Sequence, residues 1–343
     1  MNNQYPKFTS LDETSPEIWR PRGWVGRVYK LFSNLQFTRK ELHLSDDLCV
    51  IQTELKRGHI KVGGTIEPGR LSISFYETSD ILKMSGKAAN SEKMAVSYNG
   101  CRWDAASKSP ATSILINFSG KLAEQIVSQE AHSFLMGADS NSLGDRLSLV
   151  SNIAPAGGAL KHAIQSSFKL IEEDPSLENM QDIALWFSED VLSLASCLID
   201  EITNSVSDVS KKGESNRYNL AREIERLLWV GPKSEEFSSL TLDSVASRLG
   251  CSRRQVQAAI LEHFGIGFIE LKRSIRLHQV YDVLNDKGAY SNISSIAVAH
   301  EFEHLGRFSG YYKEMFGSLP SKHLRKISAI INGLGIRPLM NAC

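Results

Sequence analysis

The chain has 343 residues, 42% of them apolar and 23% charged. At a usual domain size of about 100–200 residues this predicts two or three globular units and excludes a disordered or fibrous chain. No apolar run reaches the roughly 18 residues that cross a bilayer, and the opening MNNQYPKFTSLDETSPE lacks the apolar core of a secretion signal, so the expectation is a soluble cytoplasmic protein with no membrane partner.

The formal net charge is zero, but the average conceals a split. Up to Ser210 there are 20 Lys and Arg against 26 Asp and Glu, and beyond it 19 against 13. An acidic module therefore precedes a basic one suited to a polyanion. The change of sign falls in SVSDVSKKGESN, a polar stretch without apolar periodicity that predicts a linker.

In chain order, the segment from about Val28 to Phe118 comes first. It breaks into short pieces rich in β-branched and aromatic residues, among them DLCVIQTEL, GHIKVGG, RLSISFYE, KMAVSYNG and TSILINF, separated by PG, GG, NG and SDD turns. Regularly spaced short strands predict an antiparallel barrel or sandwich, a shape whose interior often holds a small ligand.

Two basic clusters lie in this region: Arg20, Arg22 and Arg27 in RPRGWVGR, and Lys56, Arg57, His59 and Lys61 in KRGHIK. A solvated rim is the plain reading. The sharper reading is an anionic effector, a phosphate-bearing nucleotide such as a cyclic dinucleotide, held by Lys56, Arg57, His59, Arg22 and Arg27, with the Arg57 guanidinium forking onto phosphate. Trp24, Phe75, Tyr76, Tyr98 and Trp103 are available to stack on such a ligand or to fill the core.

Signatures of catalysis are missing. Metal-dependent barrels need imidazoles converging on one point, yet no H-x-H occurs and His43, His59, His132 and His162 are far apart, so no metal and no cofactor are expected. There is no G-x-S-x-G, no H-E-x-x-H and no phosphate-cradling glycine loop with its lysine, which predicts a protein that is not an enzyme. Cys49, Cys101, Cys197, Cys251 and Cys343 form no C-x-x-C, and most should be buried, inert thiols.

Helical periodicity follows in LKHAIQSSFKLIEE and MQDIALWFSEDVLSLASCLIDEI. In the second, Ile183, Trp186, Phe187, Val191, Leu194, Leu198 and Ile202 form an apolar stripe for core packing or for a dimer seam.

Past the linker, LAREIERLLWV and LTLDSVASRLG predict two amphipathic helices. After Gly250 and Cys251, Ser252 and Gln255 have the spacing of a capping box, so a helix should start sharply at Ser252. In a helix-turn-helix the second helix enters the major groove by its N-terminal end, and here that end carries Arg253, Arg254 and Gln257. Arginine pairs bidentately with guanine and glutamine with adenine. FIELKRSIRLHQVYDVLND predicts a connecting strut. The pattern then returns as ISSIAVAHEF and HLGRFSGYYKEMFG, a second unit carrying His304, Arg307 and Ser309.

These residues carry a resemblance. LTLDSVASRLGCS with VQAAI, the strut with Arg276 and Leu277, Ile296 and Ala297, Phe302, Phe308 to Phe316 and GSLPSKHLR resemble the DNA-binding domain of the AraC/XylS family of bacterial transcription regulators, over Leu240 to Arg325. The chain departs from the family pattern at Ala258, Ile260, Glu301 and Gly306. Two glycines, Gly306 and Gly310, should weaken the second recognition helix by about 1 kcal/mol each relative to alanine.

The resemblance implies an α+β chain in which a cupin-like β-barrel with following helices precedes an all-α double helix-turn-helix domain. The expected domains are a β-rich effector-sensing domain at 1–150, a helical dimerisation segment at 151–204, a linker at 205–217, the DNA-binding domain at 218–330 and a tail at 331–343. The implied function is a homodimeric, sequence-specific regulator, an activator, whose partners are double-stranded DNA, a small-molecule effector and RNA polymerase. Arg253, Arg254, Gln257, His304, Arg307 and Ser309 are then placed at bases or nearby backbone, with Lys313, Lys322 and Arg325 at phosphates. Two alternatives stand beside it. A DNA-binding enzyme such as a repair alkyltransferase would need an activated cysteine and cysteine-ligated zinc, and a barrel serving only protein contacts would have no small-molecule pocket.

Overall fold

Strand β1 (Lys7–Glu13) is polar and forms only because β2 (Trp24–His43) offers it an edge, with antiparallel pairing from Lys7 opposite His43 to Glu13 opposite Phe37. In the computed structural model the described residues are 5–13, 24–78, 82–108, 110–136, 149–205, 216–230, 240–287 and 292–333. Arg20, Arg22, Cys343, most of the expected linker and the tail beyond residue 333 lie outside them.

The sheet continues through β3 (Leu48–Ile66), β4 (Arg70–Thr78), β5 (Leu82–Met84), β6 (Lys87–Ala89), β7 (Lys93–Tyr98), β8 (Arg102–Lys108) and β9 (Ala111–Ser119). Two short helices, α1 (Gly120–Ile126) and α2 (Gln129–Met136), precede a last strand, β10 (Leu149–Asn152). The hydrogen-bonded path is β10-β7-β4-β9-β3-β8-β5-β6, with β2 and then β1 joined on through β3. Among the described residues this is the expected antiparallel β domain, as an open sheet rather than a closed barrel.

Strand β3 changes partner part-way along. β3 pairs with β9 over Leu48–Leu55 and with β8 over His59–Thr65, and between them Gly58 has φ 115°, a conformation in which an L side chain is strained. Further along, β2 and β3 touch backbone to backbone. A Cβ at Gly26 would lie 2.1 Å from the Gly63 carbonyl oxygen, and one at Gly64 2.3 Å from that of Val25, so glycine is required at both.

Alternation along the strands sends side chains to two cores. On one face Leu48, Val50, Ile73, Phe75, Ile116 and Phe118 pack against Leu160, Ile164 and Phe168 of α3 (Pro155–Glu173) and Phe187, Val191 and Leu198 of α4 (Leu177–Ser205). On the other, Trp24, Phe37, Leu55, Ile60, Tyr76 and Trp103 form a second cluster. The α4 stripe is thus mostly intramolecular core, while Leu185 and Trp186 stay exposed at 70% and 43%.

The chain divides into two compact units, residues 1–28 with 35–213 and residues 29–34 with 214–343. The second unit contains α5 (Asn216–Val230), α6 (Leu242–Arg248), α7 (Arg253–Phe264), α8 (Phe268–Lys287), α9 (Ile293–Ala299), α10 (Leu305–Phe316) and α11 (Pro320–Gly333). Helix α8 is the expected strut. It packs against α5 and α7 as well as against α9, α10 and α11, and buries Leu277, Val280 and Leu284 beneath Phe308, Tyr312 and Met315. None of the helices among the described residues is long and apolar enough to cross a membrane.

Candidate DNA-binding surface and effector cavity

The first helix-turn-helix is α6 and α7. Thr241 caps α6 by accepting a hydrogen bond from the Ser244 N–H at 3.1 Å, and Gly250, at φ 63°, turns the chain between the helices. Ser252 then caps α7 reciprocally. Its hydroxyl accepts from the Gln255 N–H at 3.2 Å, and its own N–H donates to Gln255 Oε1 at 2.8 Å, forming the capping box read from the sequence. Gln255 is thereby committed to the cap.

Val256, Ala259, Ile260 and Phe264 bury one face of α7, leaving Arg253, Arg254 and Gln257 exposed on its first turns. Arg253 Nε lies 3.1 Å from Asp243 Oδ1, with both side chains about two-thirds exposed. Such a surface pair contributes about 0–1 kcal/mol, little hindrance to a new partner. Of two of the departures, Ile260 is buried, while Ala258 is half-buried and reaches the surface. Beside this end of α7, Asn216, Arg217 and Leu220 of α5 form an open groove with Arg254 and Ala258. Arg217, which donates to Glu262 Oε2 at 2.8 Å, was not singled out by the sequence because its proximity to α7 depends on how α5 packs.

The second unit repeats the plan with different caps. Asn292 Oδ1 accepts from the N–H groups of Ser294 and Ser295 at 3.0 and 3.4 Å to start α9. The turn into α10 places Glu301 at φ 62°, which explains why glycine is usual there. Holding a non-glycine residue in this left-handed region costs about 1–2 kcal/mol. Its carboxylate is clamped by Arg276, and by Lys272 at 3.5 Å, both from α8. The basic residues of the strut are thus structural: Lys272 Nζ also donates to the Leu240 carbonyl at 2.6 Å, and the Arg273 guanidinium lies 4.5 Å from the Tyr311 ring centre.

On α10, Phe308, Tyr312 and Met315 are buried, while His304, Arg307 and Lys313 are exposed and Ser309 is half-buried. Both Gly306 and Gly310 lie within the helix, and a Cβ at either would meet nothing within 4 Å. Gly317 closes α10 at φ 76°. Lys322 and Arg325 project from α11, exposed.

Within the helical unit, residues 29–34 supply buried contacts. The Lys30 N–H donates to His278 Nε2 at 3.0 Å, its carbonyl accepts from Ser274 Oγ at 2.5 Å, and its ammonium donates to the Met315 carbonyl at 3.0 Å. Burial, helped by the Lys30 charge, holds His278 down to about 3, so the ring stays neutral and can accept.

In the β unit, the basic residues read as an effector site differ in exposure. Lys56 is exposed and pairs with Asp12 at 3.3 Å, while Arg57 and Arg27 are exposed. His59 is buried, and burial followed by the facing Lys108 lowers its pKa to about 4, leaving it uncharged at neutral pH. Lys61 is fully buried against Asp104. Arg22 lies outside the described residues.

What the fold does form is a small, partly open apolar pocket of about 40 Å³, with Ile60, Val62, Tyr76, Trp103 and Ser113 in its wall. Two steps along the same face of β9, Asn117 Oδ1 accepts from Ser72 Oγ at 2.8 Å and from Trp24 Nε1 at 3.4 Å, while its buried Nδ2 has no partner. The cysteines divide differently from expectation: Cys49 and Cys101 are buried, Cys251 is half-buried and Cys197 is exposed.

The helical unit thus holds two helix-turn-helix units joined by one strut, with exposed basic and polar residues at the leading end of each second helix. The helix-turn-helix domain family matches residues 245–326. The "Probable thc operon regulatory protein" of Rhodococcus erythropolis is 34% identical over 89 residues, 26% of this chain and 27% of that protein. The "XylDLEGF operon transcriptional activator" of Pseudomonas putida is 29% identical over 135 residues, 39% of this chain and 40% of that protein. The chain thus matches about a quarter to two fifths of the length of these relatives. Among solved structures, the AraC-like transcriptional activator CuxR is 13% identical, with a TM-score of 0.35 over 73% of this chain and 82% of its own. Residues 245–326 thus carry a helix-turn-helix domain, and the chain is similar over this region to these operon regulators.

Proposed function

We propose that the protein is a sequence-specific transcription regulator, an activator working with RNA polymerase, whose β unit senses a small molecule and whose helical segment 151–204 pairs two copies. The observation that carries the reading is the pair of exposed leading turns, Arg253 to Gln257 on α7 and His304 to Ser309 on α10, held in one unit by α8. Base edges are read by Arg253, Arg254, Gln257, His304, Arg307 and Ser309, and phosphates are held by Lys313, Lys322 and Arg325. Arg254→Ala then lowers affinity for the chosen site by about 1–3 kcal/mol and spares nonspecific DNA. Lys322→Ala weakens both alike and reduces the salt slope by about 0.9. Equal loss on both DNAs for Arg254→Ala, measured by fluorescence anisotropy, contradicts the assignment.

The effector reading rests on the small apolar pocket walled by Ile60, Val62, Tyr76 and Trp103. A small, largely apolar molecule suits that lining. The anionic alternative has exposed Arg57 and Arg27 in its favour. Calorimetry against nucleotides and cyclic dinucleotides separates the two: heat that disappears in Arg57→Ala supports the anion, and its absence leaves the pocket. Pairing of two copies uses the exposed Leu185 and Trp186 on α4, so Trp186→Glu should yield monomers in sedimentation.

A further inference from the structure

On β2, Glu41 and His43 are two residues apart and project to the same face. The strand then turns tightly. The N–H groups of Leu44 and Ser45 donate to the Leu48 carbonyl at 3.0 and 3.3 Å, and the Asp47 N–H donates to Ser45 Oγ at 3.2 Å. This closure returns the chain so that Cys49, the second residue of β3, comes beside His43. His43 Nε2 lies 2.8 Å from Glu41 Oε2 and 3.8 Å from Cys49 Sγ, and one ligand atom from each of the three falls within 4.8 Å of the other two.

We propose that Glu41, His43 and Cys49 form a binding site for a borderline-soft divalent ion of the Zn²⁺ type, with three protein ligands and one position open. A tetrahedral zinc with its usual bond lengths sets its ligand atoms roughly 3.3–3.7 Å apart, within the span of separations found here. Thiolate and imidazole together select Zn²⁺ or Co²⁺ over Mg²⁺ or Ca²⁺, which want oxygen alone.

The surroundings support the assignment. Arg39, 4% exposed, donates to Glu41 Oε1 and leaves Oε2 directed at His43, the kind of outer partner that orients a ligating carboxylate. Ile51 and Leu115 pack beside Cys49 as a dry floor. The ligand side chains themselves are enclosed but reachable, Glu41 and His43 being about one-fifth exposed. The fourth position is left for water or for a donor atom of a bound molecule, the arrangement of exchangeable rather than purely structural sites. The inference stands apart from DNA reading and from the apolar pocket, so it is tested separately.

The experiment is titration of the full-length, reduced, metal-free protein with Co²⁺, followed by Zn²⁺. One equivalent of Co²⁺ should produce a thiolate-to-cobalt charge-transfer band in the near ultraviolet together with the intense visible bands of a four-coordinate ion, and Zn²⁺ should erase both. Cys49→Ser should lose the charge-transfer band. His43→Gln and the isosteric Glu41→Gln should each bind more weakly by at least the roughly 10–100-fold that loss of an outer partner costs, while their metal-free melting curves show that they fold. Replacing the accessible thiols, Cys197→Ser with Cys251→Ser, should leave the spectrum unchanged. A band that survives Cys49→Ser, or no band at one equivalent, overturns the proposal.

Discussion

Single residues show where the chain spends stability to keep a shape. Glu301 accepts a left-handed backbone and is held by Arg276 and Lys272. Glu301→Gly removes the backbone strain together with the ion pairs, whereas Glu301→Ala keeps the strain and loses the pairs. In urea unfolding the alanine variant should therefore be the less stable by about 1 kcal/mol, and equal stability would mean that the clamp carries the whole effect. His59 makes a second residue-scale prediction. Its folded pKa of about 4 lies below its ordinary 6.5, so the unfolded chain binds more protons between those values. Stability from His59 is full above pH 6.5 and falls as pH drops to 4, by up to about 1.4 kcal/mol per unit. His59→Gln should flatten that part of the melting-temperature profile of the β unit.

At the scale of elements, what was legible in the sequence is what local chemistry decides. The capping box at Ser252 needs only residues 252 and 255, and the apolar spacing of α3, α4, α7 and α10 needs only the helix period. Strand β1 was invisible because KFTSLDE has no apolar face of its own and takes its conformation from a partner some thirty residues away. The Glu41, His43 and Cys49 cluster was missed for a related reason. Its pattern is E-x-H with a cysteine returned by a hairpin turn, not the H-x-H of metal-dependent barrels. Arg57 lies outside and His59 within because Gly58, within β3, interrupts the alternation that the strand would otherwise continue.

Helix α10 tests how far propensity matters in place. Gly306→Ala and Gly310→Ala meet open space, so each should raise stability by about 1 kcal/mol, read as a higher urea midpoint with an unchanged slope. Ser252→Ala should cost α7 about 1 kcal/mol. If Gly306→Ala stabilises the protein but weakens DNA binding, the glycine is kept for close approach of the helix to the duplex.

For the whole molecule, the charge asymmetry of the sequence corresponds to a real division. The acidic part supplies the sheet and its covering helices, and the basic part supplies the double helix-turn-helix. Sequence order alone does not draw the border, because residues 29–34 belong with the helical unit and Lys30 completes hydrogen bonds of Ser274, His278 and Met315. Expressed alone, residues 214–343 would leave those buried groups open. That fragment should unfold at a lower urea concentration than the helical unit within the full chain, as followed by hydrogen exchange.

The central claim is that two recognition helices on one strut read one duplex. It is tested most directly by selecting DNA from a randomised duplex library with the full-length protein at fixed, near-physiological salt. The account predicts a single enriched motif with two contacted segments about one helical turn, roughly 10 base pairs, apart, both lost when Arg254 and Arg307 are replaced together. Enrichment of no motif, with only salt-labile binding to every sequence, would contradict it.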